Sequence, residues 1–285
     1  MSDFVKQYGA FNIFRQNDSW VIQSPLEQRI KEKIERIGTP LKSWNIRINY
    51  GIKTGFNEAF IITGQRREEL ITLDPKSEEI IRPILRGRDI KRYSCQFADL
   101  WLIATFPSQK INIDEYPAVK QHLMSFGYER LNQSGEPGAR KKTNNAWFET
   151  QDSINYWEDF SNQKIVWGNL NLTAAYSLAG NDIFVNAPCP MIVPASKYLL
   201  AILNSKAADY YIRRLGVTRN GGYFEYKPMF IEKLPVPELS VEEQESFATL
   251  TDEPTQENQN IIDKMIYRLY DLSLEEIAFI EGTRQ

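Results

Sequence analysis

Histidine occurs once in the 285 residues, at His122, and cysteine twice, at Cys95 and Cys189. One histidine and two distant cysteines cannot supply the four ligands of a structural zinc site. A serine nucleophile would lack its histidine base. His122, set in a helical pattern, is expected to be an ordinary surface or half-buried residue. No apolar run approaches the ~20 residues of a membrane span, so no membrane partner is expected. The N-terminus M-S-D-F-V-K-Q-Y lacks the apolar region of a signal peptide, and the cysteines are then expected as reduced thiols in a cytoplasmic protein. No G-x-G-x-x-G follows a strand, and no P-loop lysine motif occurs. Asp74–Lys76 with Glu78 and Glu79 offers the residue types of a magnesium nuclease. They fall at a helix start, where capping accounts for them. No catalytic residue, no metal site and no cofactor is expected in this chain.

Charge is unevenly spread. From Glu238 onward twelve acids face three bases, a charge of −9, whereas residues 1–237 carry +6; together they give the net −3. A mildly basic body with an acidic tail suits a body that meets a polyanion and a tail that does not. From Arg82 to Arg92 five bases stand against one acid, Asp89. Two readings remain open: a solvated charged face, or a loop turned to phosphate.

Local patterns give an α+β fold, a twisted mixed or antiparallel sheet with packed helices and a C-terminal helical tail. Ser24, Pro25 and Glu27 open a capped helix with the apolar stripe Leu26, Ile30, Ile34 and Ile37. Strands are expected at 46–50, 57–62, 100–105, 182–185 and 191–193, and a long helix at 197–214. Gln133–Asn145 has two glycines, one proline and the cations Arg140, Lys141 and Lys142. It reads as a mobile surface loop, either a bare insertion or a segment that orders on DNA. Ser240–Glu257 reads as a linker or fraying helix. Three regions follow: a connector with one helix at 1–45, a central domain at 46–237, and an acidic helical tail at 238–285. The aromatic segment 1–23 is expected to pack against a further domain.

Five stretches recur in a familiar order: Gly51–Ile62, Ile80–Tyr93, Leu203–Tyr211, Gly221–Pro237 and Ile266–Ile277. The series resembles the TaqI-like C-terminal specificity domain of type II and IIG restriction–modification DNA methyltransferases, from about Trp44 to Glu281. The resemblance implies a target-recognition domain that reads a short double-stranded DNA sequence. It implies a methyltransferase domain or subunit as partner, with S-adenosylmethionine on that partner. This chain itself lacks the N/D-P-P-Y/F type motif that holds a flipped base; N-A-P-C at Asn186–Cys189 has neither the second proline nor the aromatic.

Arginine and lysine neutralise phosphate or dock on guanine, and asparagine pairs with adenine. Such residues cluster on loops, at Lys53 and Asn57; Arg86, Arg88, Lys91 and Arg92; Arg140, Lys141 and Lys142; Asn169 and Asn171; and Arg219, Asn220, Tyr223 and Lys227. These are the candidate DNA-binding residues. The alternative is a protein-docking scaffold without autonomous DNA binding, using the aromatic N-terminus and the acidic tail.

Overall fold

The structure, a computed structural model, describes residues 24–216 and 218–282. The aromatic segment 1–23 lies outside the described residues. A four-stranded antiparallel sheet runs through the middle of the molecule, in the order Tyr176–Ala179, Lys164–Trp167, Pro190–Val193, Arg47–Tyr50. Its inner strands are apolar on both faces, the pattern of a sheet covered on both sides. Side chains alternate across it. Ile165, Trp167, Tyr176 and Ile192 enter one core, while Val166, Ala179, Met191 and Val193 enter the other.

The first core is helical. Helix Pro25–Ile37 starts at the Ser24–Glu27 capping box and buries Ile30 and Ile34, as its stripe requires. The expected long helix at 197–214 is instead two helices, Lys197–Asn204 and Lys206–Leu215. Ser205 makes the break, because its hydroxyl caps the second helix by accepting from the Ala208 amide. The neighbouring Lys206 amide donates to Asp263 at 2.8 Å. Of the two readings of 240–257, linker or fraying helix, the structure has a helix, capped and spanning Val241–Asp252, whose Phe247 ring meets Tyr198 at 5.1 Å. The connector helix and the acidic tail thus both build the first core, and Lys33 joins them by an ion pair to Glu276 at 2.9 Å.

The second core lies under a second sheet, in the order Phe184–Val185, Ile81–Leu85, Leu100–Ile103, Ile61–Thr63. The first pair is parallel and the others antiparallel. The expected strand at 57–62 begins as a helical turn, Asn57–Phe60. The Thr54 hydroxyl donates to Asn57 and accepts the Phe56 amide, which winds the chain before the strand starts. His122 is buried here rather than at the surface. Its Nε2 faces the Ala59 carbonyl at 3.1 Å and its Nδ1 accepts from Arg66 at 3.2 Å. That arrangement fits a neutral ring, and burial lowers its pKa. No described helix is long and apolar enough to cross a membrane.

Candidate nucleic-acid interface

Strand register brings the candidate loops together. Tyr50 lies opposite Pro190, Met191 opposite Val166, and Trp167 opposite Tyr176. Tyr50, Pro190, Trp167 and Tyr176 therefore form one row across one end of the central sheet, roughly 14 Å wide at ~4.8 Å per strand. The chain leaves this row at Gly51 toward Lys53 and Asn57, and at Gly168 toward Asn169 and Asn171. The hairpin of Ile90–Lys91 and Ser94–Cys95 lies beside the same row, with the Tyr93 amide donating to the Tyr176 carbonyl at 2.8 Å.

At the Tyr50 corner the Gly51 amide donates to the Cys189 carbonyl and the Ile52 amide to the Val185 carbonyl. A Cβ on Gly51 would sit 2.3 Å from the Val185 carbonyl oxygen, so only glycine permits this approach. The turn exposes Lys53 and Asn57 beside an open cavity of about 420 Å³, shared with Phe56 and Asn186. Asn186 in turn donates its amide to the Leu85 carbonyl, which places the Arg86–Asp89 turn alongside.

The Arg86–Arg92 cations divide. Arg86 is spent on its own turn, its guanidinium gripping both Asp89 oxygens at 2.9 Å. Burial pushes the Asp89 carboxyl up, but its bonds to Arg86 outweigh this and hold it below its usual range. Arg92 donates to Gln259 at 2.8 Å and lies over the Tyr93 ring. Arg88 and Lys91 are exposed and make no ion pair among the described residues, although Arg88 adds to the positive charge that lowers Asp89.

The loop expected to be mobile is pinned, and Arg140 does it. Arg140 is buried and donates to the carbonyls of Leu131, Thr54, Glu149 and Trp147 at 2.6–2.9 Å. Burial lowers its pKa to about 10. Arg140 is therefore a scaffold residue and not a surface cation. Its bond to Thr54 carries exposed Lys141 and Lys142 toward the Lys53 turn.

At the Trp167 side the strand Leu170–Asn171 pairs with Tyr223–Glu225, which pairs with Thr218–Arg219. This small sheet brings Asn169, Asn171, Arg219, Asn220, Tyr223 and Lys227 together. Glu225 takes Arg219 at 2.6 Å and Lys227 at 2.8 Å, and those bonds, Lys227's first, hold its pKa below the usual value. Asn171 turns inward, its amide donating to the Gly168 carbonyl at 2.8 Å. Asn220 and Tyr223 stay exposed. Beneath the sheet, buried Asp209 accepts from the Tyr226 hydroxyl at 2.6 Å and Arg213 at 3.2 Å. Arg213 also donates to the Leu172 carbonyl and covers the Phe224 ring at 4.2 Å. Trp167 donates to the Tyr226 carbonyl at 2.6 Å, which fixes the small sheet to the central one. Leu170 and Leu172, which residue type alone did not mark as candidates, are exposed here. The alternation N-L-N-L was the signal, because one inward asparagine forces the leucines out.

A model of the TaqI-like C-terminal specificity domain matches residues 82–236. The chain is 23% identical over 286 residues to the type II methyltransferase M.BstVI of Geobacillus stearothermophilus, covering 97% of this chain and 48% of that protein. It is 18% identical over 270 residues to the type II methyltransferase M.PaeR7I of Pseudomonas aeruginosa, covering 93% and 45%. The chain thus spans a little under half the length of these relatives. Among solved structures, the type IIL restriction–modification enzyme MmeI, in complex with DNA, has a similar fold. The TM-score is 0.58 at 15% identity, over 87% of this chain and 36% of that one. The type IIG restriction endonuclease BpuSI aligns at TM-score 0.50 and 11% identity, over 86% and 33%. The family match takes in the Arg86–Arg92 turn, Asn169, Asn171 and the small sheet through Lys227, and it covers more than half of the chain, which belongs to the TaqI-like C-terminal specificity domain family.

Proposed function

We propose that this chain recognises a short sequence in double-stranded DNA and positions the duplex for a methylase, and for a nuclease where one is associated. The observation that carries this reading is the convergence of the loops bearing Lys53, Arg88, Lys91, Lys141, Lys142 and Arg219 on one end of the central sheet. Lys53, Lys91, Lys141 and Lys142, exposed and in no ion pair among the described residues, suit phosphate contacts, which set register on the duplex. Asn57 and Asn220 stand beside them with the groups that read base edges. A row roughly 14 Å wide approximates the ~12 Å major groove.

The mechanism is positioning. The basic rim holds the duplex while the methylase part extrudes the target base and transfers the methyl group. In this reading S-adenosylmethionine binds the methylase part. The relatives' names, type II methyltransferases of about twice this length, support such a division.

The test is selection from a random-sequence duplex pool by this chain, at low and at moderate salt, with sequencing of the retained DNA. One short motif is expected, with log affinity falling by about 0.9 per phosphate contact for each unit of log salt. No retention at low salt would overturn autonomous DNA recognition and favour protein docking.

A further inference from the structure

We infer that Leu170, Leu172 and Tyr223 form an apolar wedge that enters the base stack of the bound duplex; this rests on the recognition reading above and deepens it. Register carries the argument. Leu170 lies opposite Glu225 and Asn171 opposite Phe224, so the same register sets Leu172 opposite Tyr223. Tyr223 lies opposite Arg219 on its other side. Successive side chains take opposite faces. Leu170, Leu172, Tyr223, Glu225 and Arg219 therefore share one face, while Asn171 and Phe224 take the other.

Phe224 is the side chain packed beneath Arg213. The outer face leaves Leu170 49% exposed, Leu172 52% and Tyr223 40%. A sheet with one covered face ordinarily presents polar side chains to water. Here three of the five outward positions are large exposed apolar side chains, more than the scattered exposure normal for a surface.

The face is also held stiff. The Leu172 carbonyl takes the Arg213 guanidinium at 2.6 Å, and Asp209 and Trp167 anchor Tyr226 just beyond the strand. At the adjoining turn, Gly221 and Gly222 both have φ of +77°, a conformation glycine adopts freely. Two residues without side chains leave the Leu172–Tyr223 pair open to close approach.

Charge identifies the occupant as duplex DNA. Arg219 shares this face and Lys227 borders it, and both bond Glu225, which leaves a net charge of +1 beside the apolar strip. The strip also adjoins the end of the central sheet that carries Lys53 and Lys91. Base stacks flanked by phosphates match an apolar strip flanked by cations. Apolar side chains driven into a base step unstack it and kink the duplex. Partial unstacking lowers the cost of extruding a neighbouring base.

The experiment uses the full chain at saturating concentration with a duplex bearing the selected motif. 2-Aminopurine replaces one base at a time, and its fluorescence rises on unstacking. The wild-type chain is expected to raise fluorescence at one step. Leu172→Ser with Tyr223→Ser is expected to lose that rise while weakening binding less than about tenfold, since the phosphate contacts remain. An unchanged urea midpoint checks the fold, and Tyr223→Phe is expected to keep the signal. Bound duplex with no rise at any position, or a rise that persists in the double variant, overturns the wedge. Failure of the wild-type chain to bind the duplex is a different outcome, and it overturns the recognition reading together with the wedge.

Discussion

The two ends of the central sheet treat charge in opposite ways. At the Arg47 end, cations are satisfied within the protein: Arg47 grips Asp159, and Lys164, fully buried, donates to the Gly180 carbonyl at 2.8 Å. At the Tyr50 end, Lys53, Arg88, Lys91, Lys141 and Lys142 reach water and make no ion pair among the described residues. Arg86 and Arg140 belong to the Tyr50 end by sequence, yet they work as internal fasteners. The difference teaches that a run of cations is not itself a binding surface. What remains after internal pairing is the charge that a polyanion can meet.

The largest effect is expected beneath the small sheet. Asp209→Ala leaves the Tyr226 hydroxyl and Arg213 without a shared acceptor in a buried site. A loss of about 3–5 kcal/mol is expected in urea unfolding. Asp159→Ala at the opposite end should cost much less, because Arg47 is largely exposed and water replaces its partner. Equal losses would break the contrast.

Next comes binding. Lys53→Gln, Arg88→Gln and Lys91→Gln combined should weaken duplex affinity by tenfold or more and reduce the salt slope by roughly 2–3. Arg47→Gln should leave both unchanged. Gel-shift titrations at several salt concentrations measure this. The effect at Arg140→Gln should appear first as lost stability, with the weakened binding following from it.

Part of the fold was legible in the sequence, and the contrast between the ends was not, for physical reasons. Ser24 with Glu27 announced its helix, because a capping box is a local interaction. The local patterns announced a mixed fold of sheet and packed helices. Convergence of the loops was not legible, because it depends on the register of Tyr50, Pro190, Trp167 and Tyr176, set between segments far apart in sequence. The fates of Arg140 and His122 were hidden likewise. Each is fixed by partners such as Thr54 or Arg66, distant along the chain. The break at Ser205 was hidden too, because the apolar stripe of the two helices runs through it.

Smaller effects sharpen the Arg47 end. Burial lowers the Lys164 pKa to about 8 from its usual 10.5. The unfolded chain holds that proton more tightly, so the cost is fully present below pH 8 and fades as pH rises toward 10.5. Lys164→Met should remove this slope and raise stability at pH 7 by about 2 kcal/mol, the lost bond to Gly180 offsetting part of the gain. Thermal unfolding across pH 7–10 tests it.

The smallest concerns His122. Its pKa is lowered by burial, so the unfolded chain takes up the proton first. Its contribution is present above the unfolded value near 6.5 and is lost as pH falls from there through the folded value. His122→Gln should flatten the decline in stability as pH falls below about 6.5. A decline of unchanged steepness would assign it to other groups.

Hydrogen–deuterium exchange with and without the selected duplex tests the central claim most directly. Protection is expected in residues 51–57, 86–93, 169–172 and 219–227, at the Tyr50 end of the sheet, with residues 158–164 unchanged. Protection confined to 158–164 or to the helical tail, or none on saturation with duplex, would contradict the assignment of this end as the DNA-facing surface.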